Sequence, residues 1–142
     1  ILDLNAKAKS IVLKKVLIGP IPAIFCGDSR RIQQILINLV SNAIKFTNQG
    51  EVCLRITGSL EKPDQVKFEI QDTGIGMSPE QVEKLFNQFE QTSQHIHREF
   101  GGTGLGLYIS RHLTRLMGSD IVVRSEPGKG TEFEFTLSSF LK

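Results

Sequence analysis

Three groups of residues in this chain have types and spacings suited to handling a phosphorylated ligand. Residues 101–107 run Gly-Gly-Thr-Gly-Leu-Gly-Leu, and upstream lies Asp72-Thr73-Gly74-Ile75-Gly76-Met77. Glycine-spaced loops let backbone amides approach phosphate oxygens, and a helix opening directly behind such a loop adds its positive end. Further upstream, Gln34, Asn38, Asn42 and Lys45 line up as a polar stripe at about 100° per residue, beside an apolar one. A neutral amide oxygen suits Mg²⁺, which keeps waters and phosphate oxygens among its ligands. Each signal alone has an ordinary alternative: glycines also make tight turns, and a polar helical stripe also serves as a solvated face.

Two common phosphate-binding patterns do not fit. A dinucleotide fold wants G-x-G-x-x-G directly after a strand, whereas Gly104 and Gly106 are followed by Ile109 where the third glycine belongs. A P-loop needs G-x-x-x-x-G-K-[ST], and Gly128-Lys129-Gly130-Thr131 lacks that spacing. His95, His97 and His112 have no metal or triad partner at recognisable spacing, which favours surface or half-buried roles.

The elements that must position these residues are legible from periodicity. Ile11 to Leu17 reads as a strand, followed by a Gly19-Pro20-Ile21-Pro22 loop. Asp28-Ser29 offers a helix cap for Arg30 to Phe46, where Ile32, Ile35, Leu36, Leu39, Val40, Ala43 and Phe46 recur at helical spacing. Asn48-Gln49-Gly50 ends that helix. Glu51 to Ile56 and Val66 to Ile70 read as strands joined through Lys62-Pro63-Asp64. Val66, Phe68 and Ile70 alternate onto one face, and Asp72 falls on that face just past the strand. A carboxylate on the core side needs partners, because burying it unpaired is costly.

Ser78-Pro79-Glu80 opens a short helix through Leu85-Phe86, with Ser at the cap and Pro in the first turn. Asn87 to Phe100 has no clear period and runs into the second glycine loop, so it reads as a lid. Leu105 to Met117 is a further helix, with Gly118 suited to its C-terminal cap. The chain closes on a hairpin, Ile121 to Ser125 and Thr131 to Leu137, with Thr131, Phe133, Phe135 and Leu137 on one face. This order implies an α+β two-layer sandwich, a mixed sheet covered on one face by about three helices.

At 142 residues, 39% hydrophobic and 23% charged, the chain suits one soluble globular domain with a real core. A net charge of +2 is too mild to indicate nucleic acid, and neither Lys14-Lys15 nor Arg30-Arg31 is interleaved with aromatics. Cys26 and Cys53 match no metal spacing or disulfide framework and are expected to be buried reduced thiols, consistent with a cytoplasmic setting. No run approaches the ~20 apolar residues of a membrane span. The abrupt start at Ile1-Leu2-Asp3-Leu4, without Met, suggests a piece of something longer, with residues 1–10 as linker remnant and 11–142 as the domain.

With these residues in view, the chain resembles the ATP-binding catalytic domain of sensor histidine kinases, in the superfamily that includes gyrase, heat-shock chaperone and mismatch-repair ATPases. The likeness runs from about Ile11 to Leu137. Gln34 to Thr47 resembles the family's asparagine box, Asp72 to Met77 its first glycine box, Leu85 to Gln91 its phenylalanine box and Gly101 to Leu107 its second glycine box. Gly128-Lys129-Gly130-Thr131 with Phe133 resembles the segment that ends the domain.

The resemblance implies the Bergerat-type fold, ATP and Mg²⁺ as ligands, and roles for particular residues. Asp72 would accept a hydrogen bond from the adenine amino group with Thr131 beside it, and Gly74 and Gly76 would shape that loop. Asn42 would bind Mg²⁺, with Asn38 one turn away supporting metal and phosphates. Lys45 would reach the phosphates, Phe46 would lie against base or sugar, and Phe89 belongs to the phenylalanine box. Gly102, Thr103, Gly104, Leu105 and Gly106 would wrap the triphosphate, and Arg98 stands where the family often supplies a phosphate-contacting cation.

Gyrase-like and chaperone-like relatives carry a water-activating glutamate where this chain has Asn38, and an amide cannot take that proton. The resemblance therefore implies a domain that reserves the γ-phosphoryl for a histidine on a separate dimerisation hairpin, upstream in a parent that is a homodimer. A response-regulator receiver domain would be the onward partner. None of the three histidines here fits the phosphoacceptor context, so the fragment by itself is not expected to autophosphorylate. The alternatives are a self-contained gyrase-like ATPase, a kinase acting on protein serine, and a non-catalytic nucleotide sensor.

Overall fold

The structure, a computed structural model, describes residues 10–22, 27–88 and 105–139. The elements are β1 (Ile11–Ile18), α1 (Ser29–Lys45), β2 (Gly50–Gly58), β3 (Gln65–Asp72), α2 (Pro79–Gln88), α3 (Leu105–Leu116), β4 (Val122–Glu126) and β5 (Gly130–Ser138). The strands form one five-stranded sheet in the order β1-β2-β3-β5-β4. β1 and β2 are parallel and joined across α1, because a parallel pair needs a crossover. The remaining neighbours are antiparallel. The sheet is therefore mixed, and among the described residues three helices accompany it.

Local chemistry accounts for the helix ends. Asp28 caps α1, its side chain accepting from the Arg31 amide at 3.2 Å. Ser78 and Gln81 form a reciprocal cap on α2: the Ser78 amide donates to Gln81 Oε1 at 2.8 Å, and the Gln81 amide donates to Ser78 Oγ at 3.2 Å. Past α3, Gly118 takes a positive φ of 81°, the left-handed turn that closes many helices.

α1 buries Ile35, Leu39, Val40, Ala43 and Ile44. They meet the inward-facing side chains of the sheet, Val52 on β2, Phe68 and Ile70 on β3, and Phe133, Phe135 and Leu137 on β5. Phe68 and Phe135 stack with centroids 5.0 Å apart. α3 packs on α1 and contributes Leu107 to the same core. Alternation along β3 and β5 runs unbroken through the core and ends on Asp72 and Thr131, which face each other in register. Asp72 is thus the last residue of β3 rather than just past a strand ending at Ile70.

The opposite face of the sheet carries charge. Glu69 lies 3.3 Å from Lys67 and 3.6 Å from Arg55, while Arg124 reaches Glu134 at 2.6 Å and Glu132 at 3.4 Å. Cys53 also sits on this face, opposite Gln71 and Lys14, free and only half-buried. The expectation of a buried thiol fails there because Val52 and Leu54 take the inward positions on either side of it. Cys26 lies outside the described residues.

Candidate functional site

Asp72 is only 3% exposed and Thr131 8%. The Asp72 carboxylate is held by backbone: its Oδ1 accepts from the Gly74 amide at 2.9 Å and from the Thr131 amide at 3.2 Å. Burial pushes its pKa above the ordinary aspartate value, and the two amides, which favour the charged form, pull partly back. A buried carboxyl with one oxygen occupied by fixed donors suits recognition of a hydrogen-bond donor better than a structural ion pair.

The loop leaving Asp72 is tied down on several sides. Thr73 donates its amide to the Glu51 carbonyl at 3.1 Å and accepts from the Glu51 amide at 2.9 Å. The Ile75 amide donates to the Phe46 carbonyl at 3.3 Å, and the Ile75 carbonyl accepts from the Gly128 amide at 2.8 Å. A side chain at Gly74 would collide with the Phe46 carbonyl, and one at Gly76, where φ is +69°, with the Glu126 carbonyl. These close approaches are what the first glycine loop needs its glycines for.

The same contacts bring the end of α1 to the loop. Asn42, Lys45 and Phe46 occupy its last turn and C-cap, with Asn38 one turn earlier; both asparagines are half-buried and Lys45 is exposed. Among the described residues no group of three or more His, Cys, Asp and Glu could hold a metal. A cation here would draw on the neutral Asn42 oxygen and on ligand phosphates, a donor set that fits Mg²⁺. Phe89, Arg98, Gly102, Thr103 and Gly104 lie outside the described residues. Leu105 and Gly106 form the first turn of α3. His112 is exposed and stacks on Tyr108, in keeping with the surface role expected of it.

A cleft of about 250 Å³ opens at this end of the sheet, where Gln71, Arg124 and Glu132 of the charged face meet Asp72, Ser125 and Thr131 of the inward face. Among the described residues its walls come from β3, β4, β5 and the β4–β5 turn, not from α1. Sequence reasoning passed over one member. Ser125 Oγ accepts from the Met77 amide at 2.8 Å, donates to the Gly130 carbonyl at 2.9 Å and lies 2.8 Å from Thr131 Oγ1. Strand alternation puts Ser125 on the inward face with Val123, but only the register of β4 on β5 sets it opposite Thr131.

Residues 27–139 match the family model described as histidine kinase-, DNA gyrase B- and HSP90-like ATPase. The chain is 46% identical over 121 residues to hybrid signal transduction histidine kinase B of Dictyostelium discoideum, covering 82% of this chain and 6% of that protein. It is 45% identical over 135 residues to the sensor histidine kinase GacS of Pseudomonas protegens, covering 94% of this chain and 15% of that protein. The chain thus spans a small fraction of the relatives it matches. Among solved structures, full-length ShkA in complex with AMPPNP superimposes with a TM-score of 0.80 at 31% identity, over 97% of this chain and 28% of that one. The catalytic domain of histidine kinase ThkA shares the fold, with a TM-score of 0.75 at 23% identity over 97% of this chain and 84% of that one. The match over residues 27–139 shows that the chain belongs to the family of histidine kinase-, DNA gyrase B- and HSP90-like ATPases, and the relatives named here are histidine kinases.

Proposed function

We propose that this domain, taken as residues 11–142, binds Mg·ATP and presents the γ-phosphoryl group to a histidine on a separate phosphoacceptor domain of its parent. The observation that carries this reading is the buried Asp72, with Oδ1 saturated by the Gly74 and Thr131 amides. Its second oxygen is then the acceptor for the adenine amino group. Asn42, with Asn38 one turn before it, would hold Mg²⁺, whose positive charge offsets that of the phosphates. Lys45 would reach the phosphates and Phe46 would lie along the base or sugar. Gly102, Thr103, Gly104, Leu105 and Gly106 would wrap the triphosphate, with Arg98 as a phosphate-contacting cation and Phe89 among the nucleotide-binding residues.

Transfer breaks the bond between the γ-phosphorus and the β,γ-bridging oxygen and forms a phosphorus–nitrogen bond to the imidazole, which gives up its ring proton; ADP leaves. The protein's part is positioning and charge stabilisation. Asn38 offers no base for a competing water, so hydrolysis by the isolated domain should be slow. The phosphohistidine would then pass its phosphoryl group to a receiver domain, in a homodimeric parent whose catalytic portion lies in the cytoplasm. The names of the relatives and the AMPPNP complex of ShkA support this reading.

Titration calorimetry with ATP and Mg²⁺ tests the binding half: heat that depends on both, and that Asn42→Ala strips of its Mg²⁺ dependence, is the expected result. Adding a separately made phosphoacceptor hairpin tests the transfer half, with acid-labile phosphohistidine on the hairpin as the expected product. Rapid steady phosphate release without the hairpin would point instead to a self-contained ATPase.

A further inference from the structure

Ser125 has one hydroxyl hydrogen and three polar neighbours, and counting protons settles how its neighbours are oriented. The Met77 amide donates to Ser125 Oγ at 2.8 Å and takes one lone pair. The Gly130 carbonyl, 2.9 Å away, can only accept, so the Ser125 hydrogen goes there. The contact between Ser125 Oγ and Thr131 Oγ1, at 2.8 Å, then needs its hydrogen from Thr131. The opposite choice would leave two acceptors, Ser125 Oγ and the Gly130 carbonyl, pressed together with no proton between them.

Both donors of Thr131 are thereby spent. Its amide goes to Asp72 Oδ1 at 3.2 Å and its hydroxyl hydrogen to Ser125. What remains for a ligand at this end of the cleft is a pair of acceptors, the second Asp72 oxygen and the Thr131 lone pairs. An acceptor facing position 6 of the base pairs with a 6-amino group and opposes a 6-oxo group, because two acceptors facing each other leave both unpaired.

We infer that Ser125 is a positioning residue for base selection: it turns the Thr131 hydroxyl away from the nucleotide, so that the site discriminates 6-amino from 6-oxo purines. This rests on the reading that Asp72 and Thr131 receive the base. The hydroxyl hydrogen of Ser125, committed to the Gly130 carbonyl, is not itself offered to the base. Its influence passes through Thr131.

The test titrates ATP and inosine triphosphate, both with Mg²⁺, into the wild-type domain, Ser125→Ala, Thr131→Val and the double variant. Freeing the Thr131 hydroxyl to donate should strengthen inosine triphosphate binding to Ser125→Ala, narrowing the ATP preference by about fivefold to tenfold, the worth of one hydrogen bond. In the Thr131→Val background the same serine substitution should leave the preference where it was. Ser125→Thr, which keeps a hydroxyl, should restore it. A preference unmoved by Ser125→Ala, with both nucleotides weakened alike, overturns the inference, as does an equal narrowing with and without the Thr131 hydroxyl. Should the alanine variant not fold, Ser125→Cys keeps the volume, weakens the donor, and must still narrow the preference. Failure of the underlying reading looks different: Asp72→Asn would leave ATP affinity intact.

Discussion

The two faces of this sheet treat carboxylates in opposite ways. On the helix side Asp72 is buried with backbone amides as its partners, and burial raises its pKa. On the other side Glu69, 8% exposed, is surrounded by side chains. Burial alone would lift its pKa too, but a hydrogen bond from the carboxyl of Glu132 and the nearby Lys67 and Arg55 bring it below the ordinary glutamate value. Glu132 is raised above the ordinary value by its contact with Glu69, by burial and by the Glu69 charge. A carboxylate compensated by cations serves the fold. One held by amides and left short of charge costs the fold desolvation, and the proposed function assigns that cost to ligand binding.

The largest effect should come from breaking the backbone frame around Asp72. Gly76→Ala would force a Cβ into a left-handed conformation and against the Glu126 carbonyl. We expect ~2–4 kcal/mol of lost unfolding free energy in urea melts, from strain and overpacking together. A loss below ~0.5 kcal/mol would mean that the close approach relaxes freely.

Next, Asp72→Asn should remove a charged hydrogen bond to the base and weaken ATP binding by ~1.5–3 kcal/mol in calorimetry. The same substitution should raise the melting temperature of the ligand-free domain at neutral pH. Because the folded pKa of Asp72 is raised, its protonation favours the fold. That contribution is complete below the unfolded pKa and is lost as pH rises through the folded one. The neutral amide can accept from the same two backbone donors without the desolvation cost. A lower melting temperature would show the charge to be structural after all.

Glu69→Gln should behave in the reverse manner, losing ~1–2 kcal/mol of stability at neutral pH while ATP affinity stays within twofold. Its folded pKa is lowered, so its contribution is present above the unfolded pKa and disappears as pH falls through the folded one. Urea midpoints of variant and wild type should therefore converge in acid. The smallest effect belongs to Asp120→Asn. Burial would raise the Asp120 pKa, but Arg111, the Ile121 amide and Arg115 together lower it. The group is 44% exposed, so screening leaves at most ~0.5 kcal/mol, again fading as pH falls through its folded pKa.

Much of this arrangement could be read from residue order. Helical spacing of Ile35, Leu39, Val40 and Ala43 located α1, and those residues are buried where the spacing put them. Alternation along β3 and β5 placed Asp72 and Thr131 on the core face, and both are there. Cys53 shows a misreading of available signal: flanking Val52 and Leu54 already assigned it to the outer face. The Glu69–Glu132 pairing and the role of Ser125 were not available at all, because they depend on which strands lie side by side.

Local pattern alone thus determined the glycine-led loops, the inward-facing aspartate, the asparagine stripe and the mixed α+β character, since each depends on neighbours within a turn or a strand. Tertiary structure decided what the aspartate is worth. Its second amide donor comes from a residue 59 positions away, delivered only because β5 inserts between β3 and β4. Hydrogen bonds across strands are set by strand order and register, which the periodicity within one segment does not encode.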